Sequence, residues 1–186
     1  MATPAQRTNT WILEEWYDQA VAGTTGGYVA PMNGELWMWG DNEFGSLGQN
    51  TDVGGWSGSP LQLPGTTWAD VMGGGGTTAY KEMGALKSDG TLWMWGRGNF
   101  GGLGQNSTVS YSSPVQIPGT WKIRDDEAPG TNVKKYNVHA SQVSWAIKND
   151  GTLWTWGQDN YGHLGLNGGG NISSPTQVGT NTNWAT

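Results

Sequence analysis

One sequence frame occurs three times in this chain and constrains its fold more than any other feature. The frame reads G-x-L-W-x-W-G-x-x-x-aromatic-G-x-L-G-x-N and occupies residues 34–50, 90–106 and 151–167. A Ser-Pro pair and a later tryptophan follow each copy. Self-similarity at a period of about 50 residues is typical of a repeat architecture, in which each unit buries its apolar face against its neighbour. The chain is therefore predicted to be a repeat protein.

The tryptophans that follow the frames set the repeat boundaries. Trp68, Trp121 and Trp184 stand at equivalent places, and Trp16 stands ahead of the first frame in the same way. We therefore predict an N-terminal arm and one domain of three repeats. The arm covers residues 1–15, the domain covers 16–186, and the repeats are 16–67, 68–120 and 121–183. The third repeat is longer, and its charged extra segment, Arg124–Asn137, predicts a surface loop and its return.

Each repeat is predicted to be a small antiparallel sheet. The frames follow Asn33-Gly34, Asp89-Gly90 and Asp150-Gly151, and such pairs favour two-residue hairpins because both positions tolerate positive φ. The Leu-Trp-x-Trp run then places apolar side chains on both sides of a strand, so both sides must be covered. A proline-flanked strand such as 60–64 suits a sheet edge. These features describe an all-β fold of β-propeller blades, with a parallel β-helix as the competing architecture.

The frame closely resembles the repeat of the RCC1 (regulator of chromosome condensation) family. The resemblance covers nearly all of the chain from Trp16 onward. It implies propeller blades, since that family forms seven-bladed propellers. In nuclear members one face binds chromatin and another catalyses nucleotide exchange on a small GTPase. Similar repeats in bacterial and phage proteins of the envelope or virion imply no exchange activity, and we assign this chain to that type.

Three repeats predict a partial propeller that is completed by oligomerisation. A closed ring needs at least about four blades. An open set of blades leaves aromatic faces and unpaired strand edges exposed. Head-to-tail joining of chains would close a ring, whereas a joint that does not close would build a filament or lattice. We expect Trp11, Trp16 and Trp184 to anchor this interface.

Charge and composition exclude several function classes. The net charge is −6 with nine Lys and Arg residues and no basic stripe, so nucleic acid is not an expected partner. The absence of cysteine excludes disulfides and cysteine-based metal sites. No apolar run approaches the ~20 residues of a membrane span, and the N-terminus has no signal-peptide core. We therefore expect no membrane insertion and no classical export signal.

No catalytic, cofactor or metal site is expected. The G-x-G-x-x-G match at residues 96–101 is a by-product of the frame, because no strand-turn-helix context surrounds it. The acidic run 125–127 is better explained as solvated loop charge than as an acid–base pair or calcium site. His139 and His163 have no second metal ligand at a suitable spacing. We therefore predict that the protein is not an enzyme and needs no cofactor.

The first functional hypothesis is a non-catalytic structural protein of a phage virion or other extracellular assembly. It would serve as capsid decoration, a knob or fibre element or a filament subunit, with itself and other structural proteins as partners. A cytoplasmic location is the alternative. The second hypothesis is a module that binds protein or glycan through variable loops, with Trp56, Tyr111, Asp125 and Lys135 as contacts. The Trp pairs of the frames are assigned to packing rather than to a carbohydrate platform. Guanine-nucleotide exchange is the third and weakest hypothesis.

Overall fold

The computed structural model describes residues 34–51, 54–73, 81–122, 136–138 and 143–184, with the side chains of 73 and of 136–138 excepted. Within these ranges the chain forms strands and two short 3-10 turns, Glu43–Gly45 and Asn99–Gly101. The strands are β1 (Trp37–Asp41), β2 (Trp56–Gln62), β3 (Trp68–Gly73), β4 (Glu82–Lys87), β5 (Leu92–Gly96), β6 (Tyr111–Ile117), β7 (Tyr136–Val138), β8 (Val143–Ile147), β9 (Leu153–Gly157) and β10 (Ile172–Gln177). No helix in the described ranges is long and apolar enough to cross a membrane.

The strands form antiparallel sheets that follow the sequence repeats. β3, β4, β5 and β6 make one four-stranded sheet, and β7, β8, β9 and β10 make a second, each with sequential neighbours paired. β1 pairs with β2 in a two-stranded sheet. We call these sheets blade 2, blade 3 and blade 1. The all-β prediction is confirmed, and the proline-containing strands β6 and β10 lie at sheet edges as expected.

Blade 2 is buried on both of its faces, as the Leu-Trp-x-Trp pattern predicts. Leu92 and Met94 point to one side of β5 and join a core that also contains Trp156 of blade 3. Trp95 points to the other side and joins a second core with Leu36 of blade 1. Each blade junction therefore has its own hydrophobic core. Burial of apolar area against both neighbours holds the sheets together.

The hairpin turns at Gly90 and Gly151 differ from the predicted type, whereas Asn33 of the first predicted turn lies outside the described residues. Gly90 adopts φ 81°, but Asp89 does not have positive φ. Gly90 donates its N–H to the Lys87 carbonyl (3.0 Å), and Lys87 donates to the carbonyl of Thr91 (2.9 Å). This is a three-residue loop, a type I turn followed by a left-handed glycine, rather than the two-residue loop expected. The Asp89 carboxylate accepts hydrogen bonds from the Thr91 hydroxyl (2.6 Å) and N–H (2.9 Å), which lower the pKa of Asp89.

The additional residues of the third repeat interrupt its first strand. In blade 2 the equivalent strand β3 is continuous and pairs with β4. In blade 3 the pairing begins with a bridge between Trp121 and Lys148. It continues at Lys122, whose N–H donates to the carbonyl of Ile147 (2.8 Å), and resumes at β7. Tyr136, which was expected in the return from the loop, begins β7, so the extra segment Arg124–Asn137 overlaps this strand at its end. The rest of that loop lies outside the described residues.

Candidate protein interface

A buried indole hydrogen bond crosses each blade junction. The Nε1–H of Trp95 in blade 2 donates to the carbonyl of Ser46, which follows β1 (2.9 Å). The Nε1–H of Trp156 in blade 3 donates to the carbonyl of Gly102, which follows β5 (2.8 Å). Both indoles are fully buried. In blades 2 and 3 the second tryptophan of the Leu-Trp-x-Trp run therefore binds the loop of the preceding blade, which supports its assignment to packing.

The glycines and asparagines of the frame bring that loop into close contact with the next blade. Gly101 has φ 80°, and a Cβ at this position would collide with the Cα and Cβ of Ser173. Asn106, with φ 53°, donates its N–H to the carbonyl of the same serine (2.7 Å). Gly45 and Asn50 contact Ser112 in the same way at the junction of blades 1 and 2. The glycines and asparagines of the frame thus allow the loop of one blade to pack closely on a strand of the next.

Charged side chains add a second layer to the junction between blades 1 and 2. Lys81 of blade 2 contacts Asp41 (2.6 Å) and Glu43 (2.9 Å). The hydrogen bond from Lys81 lowers the pKa of Asp41. Arg97 lies over the ring of Phe44 at 4.5 Å from its centroid. Because both carboxylates are largely exposed, these contacts contribute to orientation more than to stability.

A groove of about 310 Å³ runs along the same junction. Lys87 covers the rings of Trp68 (4.7 Å) and Trp93 (4.2 Å) in its wall. At the junction of blades 2 and 3, Lys148 covers Trp154 in the same way (3.5 Å). The lysines occupy ring faces on which a sugar would otherwise stack. This argues against a carbohydrate platform in blades 2 and 3.

Blade 1 presents an exposed aromatic face whose residues differ from the interface anchors named in the sequence analysis. Trp39 is 62% exposed, Trp37 44% and Trp56 79%. Trp39 stands at the frame position of Trp95 and Trp156, which are completely buried. The Trp pair at 37 and 39 was assigned to packing between blades, and within the described residues no blade packs on it. The available signal was that residues 1–33 contain no copy of the frame.

Blade 3 presents the opposite face of the repeat. Its loop residues 160–163 are exposed, whereas the equivalent glycines of blades 1 and 2 are buried. Tyr161 is 86% exposed and packs its ring against His163, with 5.7 Å between centroids. Trp184, one of the predicted anchors, is 42% exposed and donates its N–H to the carbonyl of Gly151 (3.3 Å). The other two predicted anchors, Trp11 and Trp16, lie outside the described residues.

The predicted loop contacts are distributed differently from the expectation. Trp56 and Tyr111 are the first residues of β2 and β6, so neither lies in a loop. Trp56 is exposed, but Tyr111 is half-buried and packs against the larger core because β6 holds it beside β5. It is therefore less exposed than expected, and its role as a contact stays a prediction. Asp125 and Lys135 fall outside the described residues, and their role stays a prediction.

One ionisable group is buried beside the junction of blades 2 and 3. The carboxyl of Glu82 is 1% exposed, and neither of its oxygens has a hydrogen-bond partner. It fills the space left by Gly102, where a Cβ would collide with it. Burial raises the pKa of Glu82 to about 8, with the nearby charge of Arg97 opposing the shift. In the part of the chain that the structure describes, no three His, Cys, Asp or Glu side chains are grouped to hold a metal.

Comparison with known proteins identifies the repeat. The model of the Regulator of chromosome condensation (RCC1) repeat matches residues 89–125 and 150–185. The chain is 31% identical over 136 residues to the RCC1 domain-containing protein RUG3, mitochondrial, of Arabidopsis thaliana, covering 73% of this chain and 27% of RUG3. It is 28% identical over 156 residues to the human E3 ubiquitin-protein ligase HERC2, covering 78% of this chain and 3% of HERC2.

Solved propellers share the fold at low sequence identity. Yeast RCC1 (Prp20), in its crystal structure with Kap60, superposes with a TM-score of 0.60 at 20% identity, covering 78% of this chain and 33% of Prp20. Human WBSCR16 superposes with a TM-score of 0.57 at 20% identity, covering 79% of this chain and 35% of that protein. This chain thus spans about a third or less of these relatives. The likeness shows the blade fold.

Proposed function

Because this chain belongs to the RCC1-like repeat family, we propose that it is a non-catalytic protein-binding module whose contact surface is the exposed aromatic face of blade 1. The observation that carries this proposal is the exposure of three indoles, Trp37, Trp39 and Trp56, on one small sheet. Contiguous exposed aromatic area on a folded protein marks interaction sites. Tryptophan is also enriched among the residues that dominate binding energy at protein interfaces.

The structural relatives support protein as the class of partner. One structure of Prp20p from Saccharomyces cerevisiae is described together with its binding properties to Gsp1p and histones. Another holds the same protein bound to Kap60. In each case a protein that contains the blade fold binds another protein. We carry over only the class of partner, because the sequence identity is about 20%.

A structural role in a virion or other extracellular assembly is the narrower form of this proposal. Its support is that aromatic side chains are exposed on both blade 1 and blade 3, as in a subunit that contacts a neighbour on each side. Glycan binding is the second candidate, because the freely exposed ring of Trp56 offers a stacking surface. Guanine-nucleotide exchange has no observation in its favour among the described residues.

Affinity purification from the cells in which the protein occurs tests the proposal. The bait is the full chain, compared with a Trp39→Ala/Trp56→Ala double variant and with Val109→Ala, whose exposed side chain (60%) lies on blade 2. We expect a protein partner that the wild type and Val109→Ala retain and that the double variant loses. Equal retention by all three baits would contradict the proposal. Loss of a glycan signal alone would favour the glycan alternative.

A further inference from the structure

Each blade junction inside the chain joins two different halves. The loop half comes from the preceding blade and supplies the carbonyl of Gly102 and the close-packed Gly101. The strand half comes from the following blade and supplies Trp156 and Ser173. The junction between blades 1 and 2 is built from the equivalent residues Gly45, Ser46, Trp95 and Ser112. The same interface is therefore observed twice.

Among the described residues, nothing occupies the strand half of blade 1. Trp39 has the frame position of Trp95 and Trp156, and it follows the same Leu-Trp-Met sequence as Trp95. In the described structure its Nε1–H has no acceptor, and 62% of its side chain is exposed. A buried indole N–H needs a partner. The partner that the other two junctions supply is a loop carbonyl of a preceding blade.

The second element of this strand half is Gly58. β1 and β2 pair in the register of the other blades, with Gly40 opposite Ser57. Gly58 thereby takes the place of Ser173, the residue that a loop glycine approaches in blade 3. The ring of Trp56 now lies over this position, with its Cζ3 atom 2.9 Å from where a Cβ of Gly58 would be. An incoming loop would meet this indole first.

Blade 3 presents an unoccupied loop half. Gly162 has φ 75°, as Gly45 and Gly101 have 76° and 80°, but a Cβ on Gly162 would find nothing within 4 Å. The carbonyl of His163 holds the place of the acceptor on Gly102. Asn167 has φ 54° like its counterparts. The loop is therefore arranged for a contact that no described residue makes.

We infer that the loop half of blade 3 in one copy docks onto the strand half of blade 1 in a second copy, head to tail. Trp39 of the second copy would donate to the carbonyl of His163, and Gly162 would pack on Gly58. The inference rests on the proposed function, since it names the partner of the same aromatic face. A second copy is the occupant because this chain carries both complementary halves, and each half matches a junction already formed within it.

Docking would change the backbone conformation of Tyr161 to positive φ. The equivalent aromatics, Phe44 and Phe100, have φ 62° and 58° inside short 3-10 turns at the two formed junctions. Tyr161 does not have positive φ, and residues 160–163 form no 3-10 turn. A non-glycine residue in the left-handed region is strained and persists where its surroundings enforce it. Packing of the next blade supplies that enforcement in blades 1 and 2.

The test is the solution mass of the purified full chain, measured by light scattering over a range of concentrations. We expect wild-type mass to rise from monomer to dimer or larger, and Trp39→Ala and Gly162→Ala each to weaken association about 30-fold or more. Gly179→Ala is the matched control for Gly162→Ala, because Gly179 also has left-handed φ (59°) with nothing within 4 Å. Gly179→Ala should associate like the wild type.

Mixing the two variants gives the sharper result. Trp39→Ala keeps an intact blade 3 loop, and Gly162→Ala keeps an intact blade 1 face, so one good joint forms only between unlike chains. We expect a heterodimer on mixing and no larger species. A wild-type chain that stays monomeric at all concentrations overturns the inference, as does unchanged association of either variant alone. Neither result affects the affinity purification of a different protein, so the two proposals fail separately.

Discussion

The indole nitrogen of Trp156 donates a 2.8 Å hydrogen bond to the carbonyl of Gly102 across the junction of blades 2 and 3. The hydroxyl of Ser144 donates to the same carbonyl (3.1 Å). Donor, acceptor and both side chains are buried, so water does not replace these bonds. The contact joins residues far apart in sequence and fixes the position of one blade on the next.

Trp156→Phe should destabilise the fold by about 1–3 kcal/mol. The substitution removes the indole donor and leaves a cavity in a packed core, which together account for a cost of this size. Trp39→Phe is the matched control, since the same frame position is exposed in blade 1. Its effect should stay within about 0.5 kcal/mol. Urea unfolding of the two variants measures the difference, and equal effects would contradict the role of the buried bond.

Gly101→Ala should be more damaging than Gly162→Ala. Both glycines have left-handed φ, so each substitution carries a backbone penalty of about 1–2 kcal/mol. Only at Gly101 does the new Cβ also collide with the backbone of Ser173. Thermal unfolding of the two variants should separate them clearly. A Gly162→Ala variant as unstable as Gly101→Ala would show that the loop of blade 3 is already packed against a neighbour.

Glu82 should make stability depend on pH between its unfolded and folded pKa values. Burial raises the pKa from 4.5 to about 8 in the folded state, so the folded protein binds the proton more tightly than the unfolded chain. The stabilisation is present below pH 4.5, is lost as pH rises towards 8 and then stays constant. The slope is at most about 1.4 kcal/mol per pH unit. Glu82→Gln should flatten this difference, measured by urea unfolding at several pH values.

Lys81→Gln should raise the pKa of Asp41 while changing stability little. The lysine hydrogen bond is the main cause that lowers this pKa, and its removal returns the carboxyl towards its ordinary value. Surface pairs of this kind contribute about 0–1 kcal/mol. Titration of the side-chain carbon resonance by NMR follows the change. An unshifted pKa in the variant would show that the ion pair is not formed in solution.

The repeat frame predicted the sheets and their burial because its physical causes are local. Alternation along Leu92–Trp95 places apolar groups on both sides of one strand, and the structure covers both. The prolines of β6 and β10 exclude a central position in a ladder, and both strands are edges. Identical sequence nonetheless gave different environments. Trp39 and Trp95 both end a Leu-Trp-Met-Trp run, but within the described residues only Trp95 is covered by a preceding blade.

The misses have causes that a single frame does not contain. The Asp89 turn was expected to have two residues. Its geometry is fixed by side-chain bonds to Thr91, a residue that lies after the Asp-Gly pair from which the turn was predicted. The bounds of β7 depend on its pairing with β8, and this long-range pairing is not encoded in the frame. The burial of Glu82 was indicated in the sequence only by a missing side chain at Gly102. Ser46 and His163 hold this frame position in the other copies, and the Glu82 carboxyl fills the space that a side chain at Gly102 would need.

Photo-crosslinking from position 39 tests most directly the central claim that the aromatic face of blade 1 binds protein. A photoreactive phenylalanine analogue replaces Trp39 in the full chain, and mass spectrometry of the irradiated purified protein maps the adducts. We expect links between position 39 and residues 160–167 of another copy, and links to a protein partner when the same experiment is done in cells. Adducts confined to the same chain, in both settings, would contradict the claim.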